Sequence, residues 1–275
     1  MTISFILTCC NALPFLQAAL GSLSRSVAPG DEVIIVDDGS DDGSAAAIRD
    51  FLAGGGFPAG TETKTVFLGA RTFGGRGVAA NVGLAEATRP WLLLLEGTDQ
   101  LDPAGIAQTR ARLAGPAPDL LFTACLERDM ARQIIRPAPD AALWPRIGRR
   151  DSPRQRLDHA LALTPAPWRM ICARQLLETG GPGGARLRFP EGDAQFEDVL
   201  FHWEACLAAR DIGFLDVVTC QHGVNLPARM RPGSGDAGPT GAFTHHRRLR
   251  ALLPETDTAH QTVAAQWLVN SLAEQ

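Results

Sequence analysis

The 275-residue chain contains no tyrosine, and Lys64 is its single lysine. It has no apolar run approaching the roughly 20 residues that span a bilayer. With 26 basic against 30 acidic residues the net charge is -4, which argues against a protein whose main task is coating nucleic acid. The six cysteines (Cys9, Cys10, Cys125, Cys172, Cys206, Cys220) form no C-x-x-C pair and no cluster with histidine, so a zinc centre is not expected. Most lie in apolar surroundings that suit buried, reduced thiols. The opening MTISFILTCCNALPF lacks the basic segment of a signal peptide, and a cytoplasmic protein is expected. What is present is 45% hydrophobic residues, enough for a sizeable core in one large domain or two small ones. Every basic residue other than Lys64 is arginine, the better partner for bidentate contacts to phosphate or carboxylate.

Short apolar runs alternate with helical patterns through the first half. Ile3–Thr8 reads as a strand, followed by a helix with Pro14 in its first turn and Phe15, Leu16, Ala19, Leu20 and Leu23 on one face. Val33–Val36 is an apolar strand of the kind covered on both faces. Ser44 is placed to cap a helix through about Ala53. Thr65–Leu68 and Trp91–Leu95 read as strands around a helix at Val78–Ala87, and Asp102 caps a helix opened by Pro103. Such alternation implies parallel crossovers in an α/β sheet. Later, Asp119–Glu127 and Gln133–Arg136 read as a strand pair, and Ser152-Pro153 opens a helix to about Leu163. Glu197–Ala209 is a strong helix, with a strand near Phe214–Thr219 after it. The expected division is 1–115, 116–241 and a helical extension 242–275, the first two sharing one core.

The strand Val33–Val36 runs into Asp37-Asp38-Gly39-Ser40. Ligands of open parallel sheets bind at the carboxyl ends of the strands, where these acids can accept from a ribose hydroxyl or a base N–H. The same residues also make a plain turn. A dehydrogenase-type fold needs a Gly-rich fingerprint after the first strand, and Thr8-Cys9-Cys10-Asn11 is not one.

These blocks, in this order, resemble the family 2 glycosyltransferases, inverting nucleotide-sugar enzymes of the GT-A fold. The blocks are ISFILTCCNALPFLQAALGSL, EVIIVDDGSDDGS, GGRGVAANVGLAEATRPWLLLLEGTDQLDP, PWRMICARQLL and LRFPEGDAQFEDVLFHWEACLAA, together reaching from residue 3 to about 220. The resemblance implies a Rossmann-like, mostly parallel sheet flanked by helices, with nucleotide-binding and acceptor-binding halves and a divalent metal, Mg2+ or Mn2+, between them. By that resemblance Thr8, Asp37, Asp38, Arg76 and Asn81 serve the nucleotide, and Arg231 and Ser234 lie in a late segment that closes over the diphosphate. The metal motif is altered: Glu96-Gly97-Thr98-Asp99 keeps Asp99, replaces the first acid by Glu96 and the middle one by Thr98. His222 is a further metal or phosphate contact in some members. Asp198 of the Glu197-Asp198 pair is the implied base, with Glu197 orienting it or the acceptor. Trp168 and Arg169 fall in the acceptor half.

The expected partners are a nucleotide-sugar donor, a UDP-sugar first among them, and a glycan or lipid-linked acceptor in surface polysaccharide or glycoconjugate synthesis. The arginines between Arg146 and Arg156, and those of His245-His246-Arg247-Arg248, could dock the protein on anionic lipid. A final helix carrying Val263, Trp267 and Leu268 packs on the body or on a second copy. The altered motif leaves a rival from another class, a non-catalytic nucleotide-sugar-binding scaffold. A nucleotidyltransferase would want a Gly-rich basic loop where CCNALPF stands.

Overall fold

The computed structural model describes residues 1–72, 76–148, 150–191, 197–226 and 239–273. Strands β1 (Ile3–Cys9), β2 (Glu32–Asp37), β3 (Glu62–Phe67) and β4 (Trp91–Glu96) alternate with helices α1 (Leu13–Ser26), α2 (Ser44–Ala53) and α3 (Arg76–Glu86). The short strand β5 (Gln100–Leu101), helix α4 (Pro103–Leu113), the hairpin β6 (Leu120–Asp129) and β7 (Ile134–Pro137), and α5 (Pro153–Ala162) follow. Then come β8 (Met170–Ala173), α6 (Arg174–Thr179), α7 (Glu197–Ala208), β9 (Ile212–Val224), α8 (Pro239–Leu252) and α9 (Thr258–Ala273). Among the described residues the strand order is β3-β2-β1-β4-β8-β6-β9-β5, with β7 on β6.

The first four strands are parallel, as the alternation predicts. β8 is antiparallel to β4 and β6, and β9 runs parallel to β6, so the later segments extend the same sheet. β1 and β2 are buried along their whole length. Successive side chains point to opposite faces, so a strand covered on both sides reads as an unbroken apolar run. Phe5 and Leu7 pack with Leu16, Leu20 and Ile106, whereas Ile6 faces Leu84, Leu200 and Trp203.

Local chemistry explains most boundaries. Asp102 accepts from the Gly105 amide at 2.9 Å, the expected cap of α4, and Ser152 with Gln155 forms a capping box on α5. At α2 the cap is Gly43 (φ 95°), not Ser44, which is the first helical residue. The Asp42 carboxylate accepts from the Ser44 amide and hydroxyl and holds the turn from outside. β3 begins at Glu62 rather than Thr65, and β9 starts at Ile212, both earlier than the apolar residues alone suggest. The terminal extension holds two helices, α8 and α9, and Val263 and Trp267 of α9 pack on the core. Lys64, the lone lysine, pairs with buried Glu32 at 2.9 Å far from the sheet's carboxyl edge. Arg154 pairs with Asp158 and Asp257, and Arg156 with Asp211, so that stretch is not a bare cationic face. Among the described residues no helix is long and apolar enough to cross a membrane.

Helix α4 lies directly on β9: a Cβ on Gly105 would fall 2.0 Å from the Val218 carbonyl oxygen. Gly105→Ala should therefore force the helix off the sheet and lower stability by about 1–3 kcal/mol. A shifted urea midpoint at unchanged slope is the expected readout.

Candidate active site

The parallel register sets the site. Thr8 lies opposite Glu96, and Cys9 opposite Asp37, so the ends of β1, β2 and β4 form one edge. Two adjoining cavities open there. The first is lined by Thr8, Cys10, Asp38, Arg71, Arg76 and Glu96, among others. The second shares Thr8, Arg76 and Glu96 and adds Trp168, Glu197 and Asp198.

At the nucleoside end, Asp38 is fixed by Thr72, whose amide and hydroxyl donate to its two carboxylate oxygens at 2.9 and 3.1 Å. Burial raises its carboxyl above the ordinary range, and the Thr72 bonds oppose that rise. Asp37 is nearly inaccessible and accepts from the Ser40 amide at 3.0 Å, a turn-supporting arrangement. Gly39 (φ 62°) is required between them, because a Cβ there would lie 2.2 Å from the Arg71 nitrogen. Asn11 ties the end of β1 to this loop, its amide donating to Ser40 Oγ and its side-chain oxygen accepting from the Asp41 amide, both at 2.9 Å. Arg71 and Thr72 escaped the sequence reading. They follow β3, and the carboxyl-end position of their loop is the signal that could have found them. Cys10 also lines this cavity, but burial pushes its thiol up to about 11, which leaves it no thiolate for nucleophilic chemistry.

The middle of the cleft belongs to Arg76. Its guanidinium pairs with Glu96 and reaches Glu197 Oε1 at 3.4 Å, and its side chain is 42% exposed. It opens α3, which packs on β1 and β2. Glu197 and Asp198 form the first turn of α7, where the helix dipole favours acids. Glu197 is 2% exposed, its Oε2 has no hydrogen-bond partner among the described residues, and burial raises its carboxyl to about 7. Burial likewise raises Asp198, opposed by Arg76.

A group whose folded value lies above its unfolded one stabilises the fold while protonated and loses that contribution as pH rises through the folded value. The thermal midpoint is therefore expected to fall between pH 5 and 8, and Glu197→Gln should flatten that fall. Calorimetry across this range checks it, and an unchanged slope in the variant would refute the assignment.

Asp99 does not face the cleft. Its side chain is 1% exposed, Oδ1 accepts from His222 Nδ1 at 2.7 Å, and Oδ2 accepts from the Glu96 amide at 2.8 Å. Burial works against a charged His222, yet the Asp99 carboxylate holds its imidazole above the ordinary value. The ring stacks on Trp168 with centroids 3.4 Å apart and planes 7° apart. A divalent cation wants several oxygen ligands, open and negatively charged. Here both Asp99 oxygens are committed, Glu96 is paired with a guanidinium, and Thr98 is a neutral hydroxyl. Among the described residues no three acidic, histidine or cysteine side chains are grouped to hold a metal. The residues present do not fit the implied ion.

Two further expectations are corrected. Asn81 does not reach the nucleotide cavity: its amide is used by the Phe189 carbonyl (2.9 Å), the Glu191 carboxylate (2.7 Å) and the Phe189 N–H (2.9 Å). It anchors the segment leading towards α7. Arg169 cannot touch an acceptor, because its side chain is 1% exposed and paired with Asp140. Trp168 does line the second cavity, and Trp203 packs in the core. Arg231 and Ser234 lie outside the described residues.

The sequence matches the family described as Glycosyl transferase family 2 over residues 4–174. No curated protein sequence matches it. Among solved structures, S. aureus TarS 1-349 in complex with UDP-GlcNAc superposes with a TM-score of 0.75 at 22% identity, covering 98% of this chain and 72% of that one. The mannosyltransferase PcManGT from Pyrobaculum calidifontis, in complex with GDP-Man and Mn2+, gives 0.57 at 18% identity, covering 99% and 75%. With the family matched across the strands that build the cleft, and the fold shared along nearly the whole length, the chain belongs to glycosyl transferase family 2 and is a glycosyltransferase of the GT-A fold.

Proposed function

We propose that the chain transfers a sugar with inversion from a nucleotide-sugar donor to a hydroxyl of a glycan or lipid-linked acceptor. Surface polysaccharide or glycoconjugate assembly is the process it would serve. The observation that carries this reading is the meeting of Arg76 and the Glu197-Asp198 pair across one cavity, beside a second cavity ending at Asp38. In this arrangement Asp38 accepts from the nucleobase or ribose, and Thr8 and Asp37 support that end. Trp168 offers an aromatic wall to a sugar. The Asp198 carboxylate takes the proton from the acceptor hydroxyl as its oxygen bonds to the anomeric carbon. The bond from that carbon to the diphosphate breaks, and its electron pair leaves with the nucleoside diphosphate, whose charge Arg76 meets. Glu197 keeps Arg76 aimed at the cavity. The UDP-GlcNAc and GDP-Man bound by TarS and PcManGT support a donor of the same class.

A scaffold that binds nucleotide-sugar without transferring it is favoured by the altered Glu96-Gly97-Thr98 motif and opposed by the intact acid pair. A thermal-shift panel of UDP, GDP, dTDP and CMP sugars tests the reading, since a ligand that binds the native state raises its midpoint. One donor class is expected to stand out and to be consumed on incubation. Binding without consumption would favour the scaffold, and no shift with any donor would refute both.

A further inference from the structure

We infer that this chain binds its nucleoside diphosphate without a divalent cation, the Arg76 guanidinium, held between Glu96 and Glu197, supplying the positive charge at the diphosphate. The inference rests on the transferase reading and concerns how that same cleft neutralises its donor.

The turn after β4 is built to keep its acids from a metal. The Gly97 amide donates to the Thr8 carbonyl at 2.8 Å and the Asp99 amide to the Glu96 carbonyl at 2.9 Å, which closes the turn tightly on β1. The Asp99 carboxylate then folds back on the Glu96 amide and His222 and is 1% exposed, so it presents no oxygen to the cleft. From behind, Arg128 donates to the Thr98 carbonyl at 2.6 Å and sets another fixed positive charge against the turn. Of the turn's two carboxylates, Glu96 alone lines the cleft, and a guanidinium already answers it. On the cleft side Arg76 already pairs with Glu96, and Arg128 stands behind the turn, so a dication would enter against two fixed positive charges. A nucleoside diphosphate instead brings the negative charge that the cavity's arginines, Arg71 and Arg76, are placed to meet.

Thr98 points the same way. It stands at the middle of the motif, lines the nucleotide cavity, and its buried hydroxyl has no hydrogen-bond partner among the described residues. That hydroxyl lies against β9, where a Cβ built on Gly223 would fall 2.9 Å from it, and a neutral side chain at this position offers a cation no anionic oxygen.

Calorimetric titration of UDP and of GDP into the intact chain, in EDTA and in excess MnCl2, tests this. One nucleotide should bind with affinities equal within about threefold in the two buffers. Arg76→Ala should weaken binding roughly tenfold or more in both, and Arg76→Lys by less. Glu96→Gln separates the two accounts: releasing Arg76 should leave binding unchanged or tighter, whereas loss of a metal ligand would weaken it only with Mn2+ present. The Mn2+ electron paramagnetic resonance spectrum should show no species beyond free and nucleotide-bound Mn2+. A loss of about tenfold on chelation, or a protein-bound Mn2+ signal abolished in Glu96→Gln, would overturn the inference while leaving the transferase reading intact. Failure of every nucleotide to bind in either buffer would overturn both.

Discussion

Asp198→Asn is expected to lower sugar transfer by roughly 10²–10⁴-fold, the usual worth of a positioned general base. Nucleotide affinity should remain nearly unchanged. The amide keeps the size of the side chain and cannot take the acceptor proton. Asp198 lines the cavity beside Trp168 and not the one ending at Asp38, so the nucleotide does not depend on it. Burial raises the Asp198 carboxyl, so the acid limb of the wild-type rate profile should lie above the ordinary carboxylate range, activity falling as pH drops through it. The loss should appear in kcat rather than as weakened donor binding. Retained turnover in the variant would move the base elsewhere.

Asp140→Ala should cost about 3–5 kcal/mol, because it leaves a buried guanidinium without its counter-charge. Arg169 donates through Nη1 and Nη2 to the two Asp140 oxygens, and Nη2 also donates to the Thr164 carbonyl at 2.7 Å. Asp140 in turn accepts from the Thr164 amide at 2.7 Å. The pair pins the short turn Pro167–Arg169, which carries Trp168 against His222. Unfolding should shift down by roughly 5–15 °C, and turnover should fall as Trp168 loses its support. The double variant Asp140→Leu with Arg169→Met should recover much of the stability, since an apolar replacement removes both charges. Equal destabilisation in the single and double variants would contradict this.

The first half of the fold was legible because β1, β2 and β4 are covered on both faces, and their apolar runs are bounded by capping Asp, Pro and Gly. Helix-start chemistry likewise marked α4 and α5. β9 was only partly legible: its register against β6 shifts at Thr123 and Ala124, and an irregular partner blurs the alternation that marks a strand. In the site, residue type and order pointed to Thr8, Asp38, Arg76, Glu197 and Asp198, all of which line the paired cavities. Side-chain direction was not legible. Asp99 and His222 meet across 123 residues of sequence, and Asn81 reaches Phe189 across 108, so their use in buried hydrogen bonds could not be read locally. Arg169 illustrates the same point, since a motif position does not reveal that Asp140 takes its charge.

Inverting transfer from a nucleotide-sugar is tested most directly with water as the acceptor. Proton NMR would follow the sugar first released from an α-linked donor chosen by the thermal-shift panel, before mutarotation. With Asp198 activating the incoming oxygen opposite the departing diphosphate, the β-anomer should appear first, and Asp198→Asn should suppress it. Initial release of the α-anomer, or β-release undiminished in that variant, would contradict the assignment.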